Sequence, residues 1–267
     1  MVPGTLRFEQ AGHLAKLVLS HTHRFNAMTR LMWRELRAAF EYVQLSNDIR
    51  CVVVAGEGSH FCAGGDISEY PAFRFQEASL REFHEGDVWG GLQAMLDCDV
   101  PVVAQIAGNC MGAGLEIASC CDIRVSAQSA RFGAPIAKLG FPMAPREVDL
   151  VARELGAALA RQMLLEAAQF DAQDLKAAGF LSQVVDDDAL DAQVHATALR
   201  IADLAPQAAR MNKQTLRALN RPLAGFPIGY KKSEIVAKNI LRPYAYADNA
   251  EHSEGIQAFL EKRKPVF

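Results

Sequence analysis

The sequence lacks the features of membrane and exported proteins. It holds no run of about 18 apolar residues, the length from which a membrane-crossing helix is inferred. Its first ten residues, MVPGTLRFEQ, contain no apolar signal core. We therefore expect a cytoplasmic protein that has no membrane partner.

The sequence also has no excess of positive charge and no metal-type spacing of ligands. The 28 lysines and arginines against 31 acidic residues give a net charge of −3, whereas nucleic-acid binding needs a clustered basic face. We expect no nucleic-acid partner. The cysteines form no C-x-x-C pair and have no metal-type spacing with histidine, so they are typical of buried thiols in a reducing compartment and predict no metal site. They are Cys51, Cys62, Cys98, Cys110, Cys120 and Cys121.

The composition that is present fits a globular protein with a large core. Of 267 residues, 50% are hydrophobic and 22% are charged, and a chain of this length buries roughly 70–75% of its unfolded surface. Alternating or apolar stretches predict strands at 13–20, 51–55 and 101–106, and a further strand is predicted at 122–126. Helices are predicted at 29–44, where Thr29 is the cap, at 79–97 and from Gly112 onward. This alternation predicts an α/β layered core.

From residue 146 onward the pattern becomes helical. We predict helices at 146–155, 157–167, 171–178, 188–204, 206–219, 228–240 and 251–263, with residues 184–185 as the only extended interruption. The change in character near 190–200 suggests two parts, a core over 1–195 and a C-terminal helical region over 196–267. Helices that no strand covers usually pack on a neighbour, so this region indicates oligomerisation.

The stretch 104–122, AQIAGNCMGAGLEIASCCD, combines a glycine-rich turn, a helix start and a carboxylate. The first N–H groups of a helix have no intrahelical acceptor and can bind an anion or an oxyanion. Glu116 lies beside them in the first turn. Packing glycines and a Glu that complements the helix dipole are the alternative explanation. The spacing is neither G-x-G-x-x-G nor G-x-x-x-x-G-K-[ST], and no G-x-S-x-G occurs.

Six motifs spread over the chain favour the functional explanation. They are HRFNAM (23–28), SHFCAGGDI (59–67), IAGNCMGAGLEIASCCDIRVSA (106–127), RFGAPIAKLG (131–140), AAGFLSQVV (177–185) and EGIQAFLEKRKPVF (254–267). Together they resemble the crotonase superfamily, also called the enoyl-CoA hydratase/isomerase family, over nearly the whole chain. The resemblance implies a crotonase-like spiral of strand–strand–helix repeats with an acyl-CoA thioester site. It also implies C-terminal helices that form homotrimers and often hexamers, and no cofactor apart from the CoA of the substrate.

The same resemblance implies roles for particular residues. The backbone N–H groups of Gly65 and Ala113 should hold the thioester oxygen. Glu116 should move a proton to or from the carbon beside the thioester. For the CoA, backbone contacts on the adenine side should come from Ala63, Gly64, Asp66 and Ile67, a phosphate contact from Arg24, and contacts from a neighbouring subunit from Phe259 and Lys262.

Two of these CoA assignments have equally good structural alternatives. The carboxylate of Asp66 can serve as an ordinary loop cap. Phe259 and Lys262 can simply belong to an amphipathic terminal helix with a basic end.

One departure from the family's hydratases limits the expected reaction. Their second catalytic carboxylate follows the proline of the FG-x-P segment, and that position is Ile136 here. With Leu139, Phe141 and Met143, this residue predicts an apolar acyl pocket. Because an isoleucine cannot orient or activate water, the sequence predicts weak hydratase activity at best.

Charged residues near that segment are expected to be peripheral. We expect Arg146, Glu147 and Asp149 at the surface of a helix start, and a structural or exposed position for His84.

Three functions remain open from the sequence. The first is a hydratase or isomerase of acyl-CoA thioesters that uses Glu116. The second is a divergent family member that hydrolyses, decarboxylates or cleaves a carbon–carbon bond in a CoA thioester. The third is a protein without catalysis that binds acyl-CoA or serves as an RNA-associated scaffold.

Overall fold

Two sheets organise the part of the chain that the computed structural model describes, residues 4–219, 244 and 246–267. The strands are β1 (Thr5–Ala11), β2 (Leu14–Ser20), β3 (Cys51–Gly56), β4 (Val102–Ile106), β5 (Asn109–Met111), β6 (Ile123–Ala127), β7 (Arg131–Gly133), β8 (Gln169–Asp171) and β9 (Gln183–Val185). The main sheet has the order β1-β2-β3-β4-β6-β9. Strands β1 and β2 are antiparallel, and every other pair of adjacent strands in this sheet is parallel. A smaller sheet has the order β5-β7-β8.

Helices follow most of these strands. They are α1 (Arg30–Leu45), α2 (Glu77–Glu82), α3 (Trp89–Asp97), α4 (Ala113–Ser119), α5 (Pro145–Leu155), α6 (Ala157–Leu165), α7 (Ala172–Ala177), α8 (Leu190–Ala202), α9 (Pro206–Leu219) and α10 (Ala250–Leu260). A π-helical turn, Phe83–Val88, joins α2 to α3, and 3₁₀ turns occur at Thr22–Arg24, Ile67–Ala72, Pro135–Leu139 and Asp187–Ala189. The helix predicted at 228–240 lies outside the described residues.

Apolar clusters cover both faces of the main sheet, because its central strands carry apolar side chains on both faces. Val52 and Val54 of β3 face a core shared with α1 and α3, whereas Val53 faces a second apolar cluster. That second cluster contains Val194 and Ala198 of α8. The alternation follows from the two-residue period of a strand.

The predicted division after residue 195 falls inside α8. Residues on both sides of it, Val194 and Ala198, pack on the same face of the main sheet. The division therefore does not coincide with the end of a helix or strand, and two separate parts stay a prediction.

The chain passes repeatedly from the main sheet to the second layer and on to a helix. The sequence β4, β5, α4 is one complete turn of this kind. Isolated parallel bridges, Met28 with Gly65 and Cys62 with Cys110, extend the second layer beyond β5-β7-β8. These bridges bring the loops after β2 and β3 against β5, where the site lies.

Several local predictions were wrong. The helix over 79–97 is interrupted by the π turn, and β8 is a further extended segment after residue 146. Strands β1 and β5 were also missed. The cap of α1 is confirmed, because the side chain of Thr29 accepts a hydrogen bond from the Met32 N–H at 3.1 Å.

Candidate active site

A cavity of about 370 Å³ opens where the two layers meet α4 and α5. The loop after β3 contributes Ala63, Gly64 and Gly65, and the turn before α4 contributes Gly112 and Ala113. The Ile67–Ala72 turn, the π turn and the 135–147 segment complete the walls. Two glycine-bearing loops that are distant in sequence therefore face one space.

Backbone pairing leaves the Gly65 N–H directed away from its neighbouring strand. Met28 N donates to Gly64 O at 2.8 Å, and Asp66 N donates to Met28 O at 2.8 Å. Because both ladder bonds use the flanking residues, the N–H of Gly65 points to the opposite side. Among the described residues, it has no hydrogen-bond acceptor.

The Ala113 N–H is available for a different reason. Ala113 is the first residue of α4, and the N–H groups of a first turn have no intrahelical acceptor. Gly112, the residue before the helix, has a positive φ of +48° that glycine adopts readily. A Cβ on Gly114 would lie 2.6 Å from the Cys62 carbonyl oxygen, so only glycine lets α4 approach the Gly65 loop this closely.

Glu116 lies in the first turn of α4 and is only 6% exposed. Burial raises the pKa of its carboxyl well above the ordinary value, and the neighbouring charge of Glu147 raises that pKa further. The carboxyl group is therefore held in the neutral form well above the pH at which a solvated Glu ionises. A neutral carboxylic acid at this place can donate a proton.

Glu147 supplies a second buried carboxylate, from the first turn of α5. It is 3% exposed, and its Oε1 accepts a hydrogen bond from His84 Nδ1 at 2.9 Å. Its Oε2 accepts from the Ala144 N–H at 3.2 Å. The predicted surface position is wrong for Glu147, and His84 is a half-buried residue of the cavity wall.

The sequence did contain a signal for the burial of Glu147. On α5 the buried residues Leu150, Val151 and Leu155 follow it at helical spacing, so all four share one face. Its neighbours on the other faces are half-buried and make ion pairs, Arg146 with Glu85 and Asp149 with Arg153.

An aromatic wall with one cation closes another side of the cavity. The Tyr70 hydroxyl lies beside Gly65, since a Cβ on that glycine would be 2.3 Å from Tyr70 Oη. Burial raises the pKa of Tyr70 to about 12. The guanidinium of Arg74 covers the rings of Tyr70 and Phe141, and burial lowers its pKa. Sequence reasoning missed Tyr70 and Arg74, whose loop has no regular periodicity.

The remaining predicted residues divide into two groups. Ala63, Gly64, Ile67 and Ile136 line the cavity. The other four do not line it: the Asp66 carboxylate caps its own loop by accepting from Ser68 N at 3.0 Å, while Arg24, Phe259 and Lys262 are exposed.

Three sequence expectations concern other parts of the chain. All six cysteines are buried and free, as predicted. Within residues 4–219, 244 and 246–267, no group of three or more His, Cys, Asp or Glu side chains could hold a metal ion. No helix in the same ranges is long and apolar enough to cross a membrane.

Comparisons with known proteins agree with the geometry. The family model described as enoyl-CoA hydratase/isomerase matches residues 9–267. A probable enoyl-CoA hydratase of Mycobacterium bovis is 30% identical over 263 residues, which are 98% of this chain and 97% of that protein.

Solved structures are similar as well. A structure from Magnetospirillum magneticum, titled enoyl-CoA hydratase/carnithine racemase, has a TM-score of 0.90 at 36% identity and covers 98% of this chain and 95% of its own. The Pseudomonas aeruginosa protein DspI has a TM-score of 0.85 at 28% identity, with 98% and 96% covered. These similarities confirm the predicted α/β fold of the crotonase type.

Proposed function

The chain belongs to the enoyl-CoA hydratase/isomerase family, and from that premise we propose that it binds the oxygen of an acyl-CoA thioester between the N–H groups of Gly65 and Ala113. The observation that carries the proposal is their common cavity with two buried carboxyl groups, Glu116 and Glu147. Donors preorganised around a developing oxyanion are effective because they need no reorganisation, and loss of one costs about 3 kcal/mol.

Addition of water to an α,β-unsaturated thioester is the reaction that uses all four groups. The water oxygen bonds to the β-carbon while Glu147 accepts a proton from that water. Electron density moves from the double bond to the thioester oxygen, which the two N–H groups stabilise. Glu116, neutral because it is buried, then gives its proton to the α-carbon. Glu147 thus activates the water, which Ile136 cannot do. We therefore expect substantial hydratase activity, in place of the weak activity expected from Ile136 alone.

The test is hydration of crotonyl-CoA, followed as loss of the enoyl-thioester absorbance. General acid–base groups contribute about 10²–10⁴ in rate, so Glu116→Gln and Glu147→Gln should each lower kcat by that order. Both variants should keep the affinity for a saturated acyl-CoA. Glu41→Gln is the matched control, since Glu41 pairs with Arg37 on the exposed face of α1.

Other results would point to the alternatives. Deuterium exchange at the α-carbon without water addition would favour isomerisation, decarboxylation or another reaction of the enolate. Binding of acyl-CoA without exchange or turnover would favour a protein that only binds its ligand. If both Gln variants lost turnover and also lost acyl-CoA binding, the carboxyl groups would be structural.

The CoA part of the substrate would leave the cavity along the loop after β3. We propose backbone contacts from Ala63, Gly64, Asp66 and Ile67, since the carboxylate of Asp66 is already used as a cap. The exposure of Arg24 leaves its guanidinium available for a phosphate.

Phe259 and Lys262 would act on the CoA of a neighbouring subunit in a homotrimer or hexamer. Ile256, Phe259 and Leu260 expose apolar surface on α10, which supports such an assembly. No further cofactor is proposed. The cytoplasmic location and the absence of a nucleic-acid partner stay predictions.

A further inference from the structure

The guanidinium of Arg74 lies in the aromatic wall of the cavity. The Arg74 Cζ is 3.5 Å from the centroid of Phe141 and 4.6 Å from that of Tyr70. Contact with aromatic faces stabilises a cation only in part. The polar edges of the guanidinium still need acceptors, since it carries five N–H donors.

Those donors have no acceptor within the described part of the chain. No carboxylate there lies within ion-pair distance of Arg74, and its side chain makes no hydrogen bond. Nearby arginines differ, because Arg30 is paired with Asp87 and Arg146 with Glu85. The Arg74 nitrogens still reach solvent, since they are not among the fully buried polar atoms without a partner. A substrate that fills the cavity displaces this water, and the charge then needs an acceptor from the substrate itself. This wall is therefore suited to an anion from outside the chain.

The anion belongs on the acyl side of the cavity. The charged or ionisable groups that act on Arg74 are Tyr70 and Glu147, and both lie at the reacting end. The Tyr70 hydroxyl is beside Gly65, one of the two donors proposed for the thioester oxygen. Glu147 itself is not the partner, since its two oxygens accept from His84 and Ala144.

We propose that the acyl group of the substrate ends in a carboxylate that Arg74 binds, so the substrates are CoA monothioesters of dicarboxylic acids. This inference rests on the proposed function, because it assumes that an acyl-CoA fills the cavity. An arginine and a carboxylate can form two parallel hydrogen bonds, and such pairs are stronger than those between neutral groups.

The experiment compares the affinities of glutaryl-CoA and pentanoyl-CoA, which share a carbon skeleton and differ in the terminal carboxylate. Wild-type protein should bind glutaryl-CoA about ten- to hundredfold more tightly, the range of one charge-assisted hydrogen-bonded contact. Arg74→Gln should abolish that preference and leave the affinity for pentanoyl-CoA unchanged. Arg74→Lys should keep part of it. Arg81→Gln is the control, because Arg81 pairs with Glu77 on the exposed surface of α2.

Three results would overturn the inference. Equal affinity of the wild type for the two esters would show that no terminal carboxylate is recognised. Equal loss of both esters and of free CoA in Arg74→Gln would show that Arg74 binds a CoA phosphate instead. Loss of both esters with free CoA unaffected would show that Arg74 only supports the wall.

The proposed reaction is tested separately. Both esters are saturated and undergo no hydration, so their binding does not depend on turnover. A preserved preference for glutaryl-CoA without hydration of glutaconyl-CoA, the α,β-unsaturated ester with the same terminal carboxylate, would contradict the reaction alone. Hydratase activity without the preference would contradict the substrate class alone.

Discussion

A methyl group at position 65 tests how the wall beside the proposed oxyanion site is packed. A Cβ on Gly65 would lie 2.3 Å from Tyr70 Oη and 3.3 Å from its Cζ. The ring of Tyr70 has little room to withdraw, since Phe73 and Phe141 touch it edge-on at 5.8 and 6.0 Å. Overpacking of this kind costs about 1–3 kcal/mol. We expect Gly65→Ala to lower the free energy of unfolding by that amount.

The clash can be assigned to one atom by a double-mutant cycle with Tyr70→Phe. Removing Oη leaves the 3.3 Å contact with Cζ, which a small shift of the ring can relieve. In urea denaturation the two substitutions should show a coupling of about 0.5–3 kcal/mol, with the double variant more stable than the sum predicts. Strict additivity in stability would refute this explanation of the glycine.

Two further predictions concern buried carboxyl groups. Glu116 has a raised pKa in the folded protein, so the wild type should lose stability relative to Glu116→Gln as pH rises from about 4.3 through that raised value; parallel stability curves in urea denaturation would contradict it. For Asp99, burial raises the pKa, but hydrogen bonds from Gln44, Gln214 and Arg217 at 3.0, 2.7 and 2.5 Å outweigh it and hold the pKa below its ordinary value. Asp99→Asn should therefore cost about 1–3 kcal/mol at neutral pH, and the difference should shrink as pH falls through the lowered pKa; a constant difference down to acid pH would exclude this cause.

The fold was predictable where hydrophobic pattern and length agree. Strands β2, β3 and β4 are largely apolar runs of five to seven residues, whereas β6 also contains Arg124 and Ser126. Each of the four was predicted close to its observed bounds. Strands β5 and β8 have three residues each, too few to show a period of two. Both strands pair with β7, which is distant from each of them in the sequence. Tertiary structure therefore decides this pairing.

The site was predictable only where its residues lie in recognisable motifs. Gly65, Ala113 and Glu116 lie in motifs, and the structure brings all three to one cavity. Glu147 shares a helical face with buried residues, but this periodicity does not reveal that the face borders a cavity. Arg74 comes from an irregular segment, where the spacing of residues does not indicate which way a side chain points.

The π turn explains how His84 reaches Glu147. A π turn accommodates one residue more than an α turn and so shifts the direction of every side chain that follows. Phe83, the first residue of the turn, is buried in the core, and Leu92 and Met95 of α3, which follow the turn, are buried as well. The extra residue lets His84 face the cavity without turning the apolar face of α3 away from the sheet. The contact between His84 and Glu147 thus depends on an irregularity that helical periodicity over 79–97 could not predict. Together with the Ala144 N–H, this contact orients the second carboxylate.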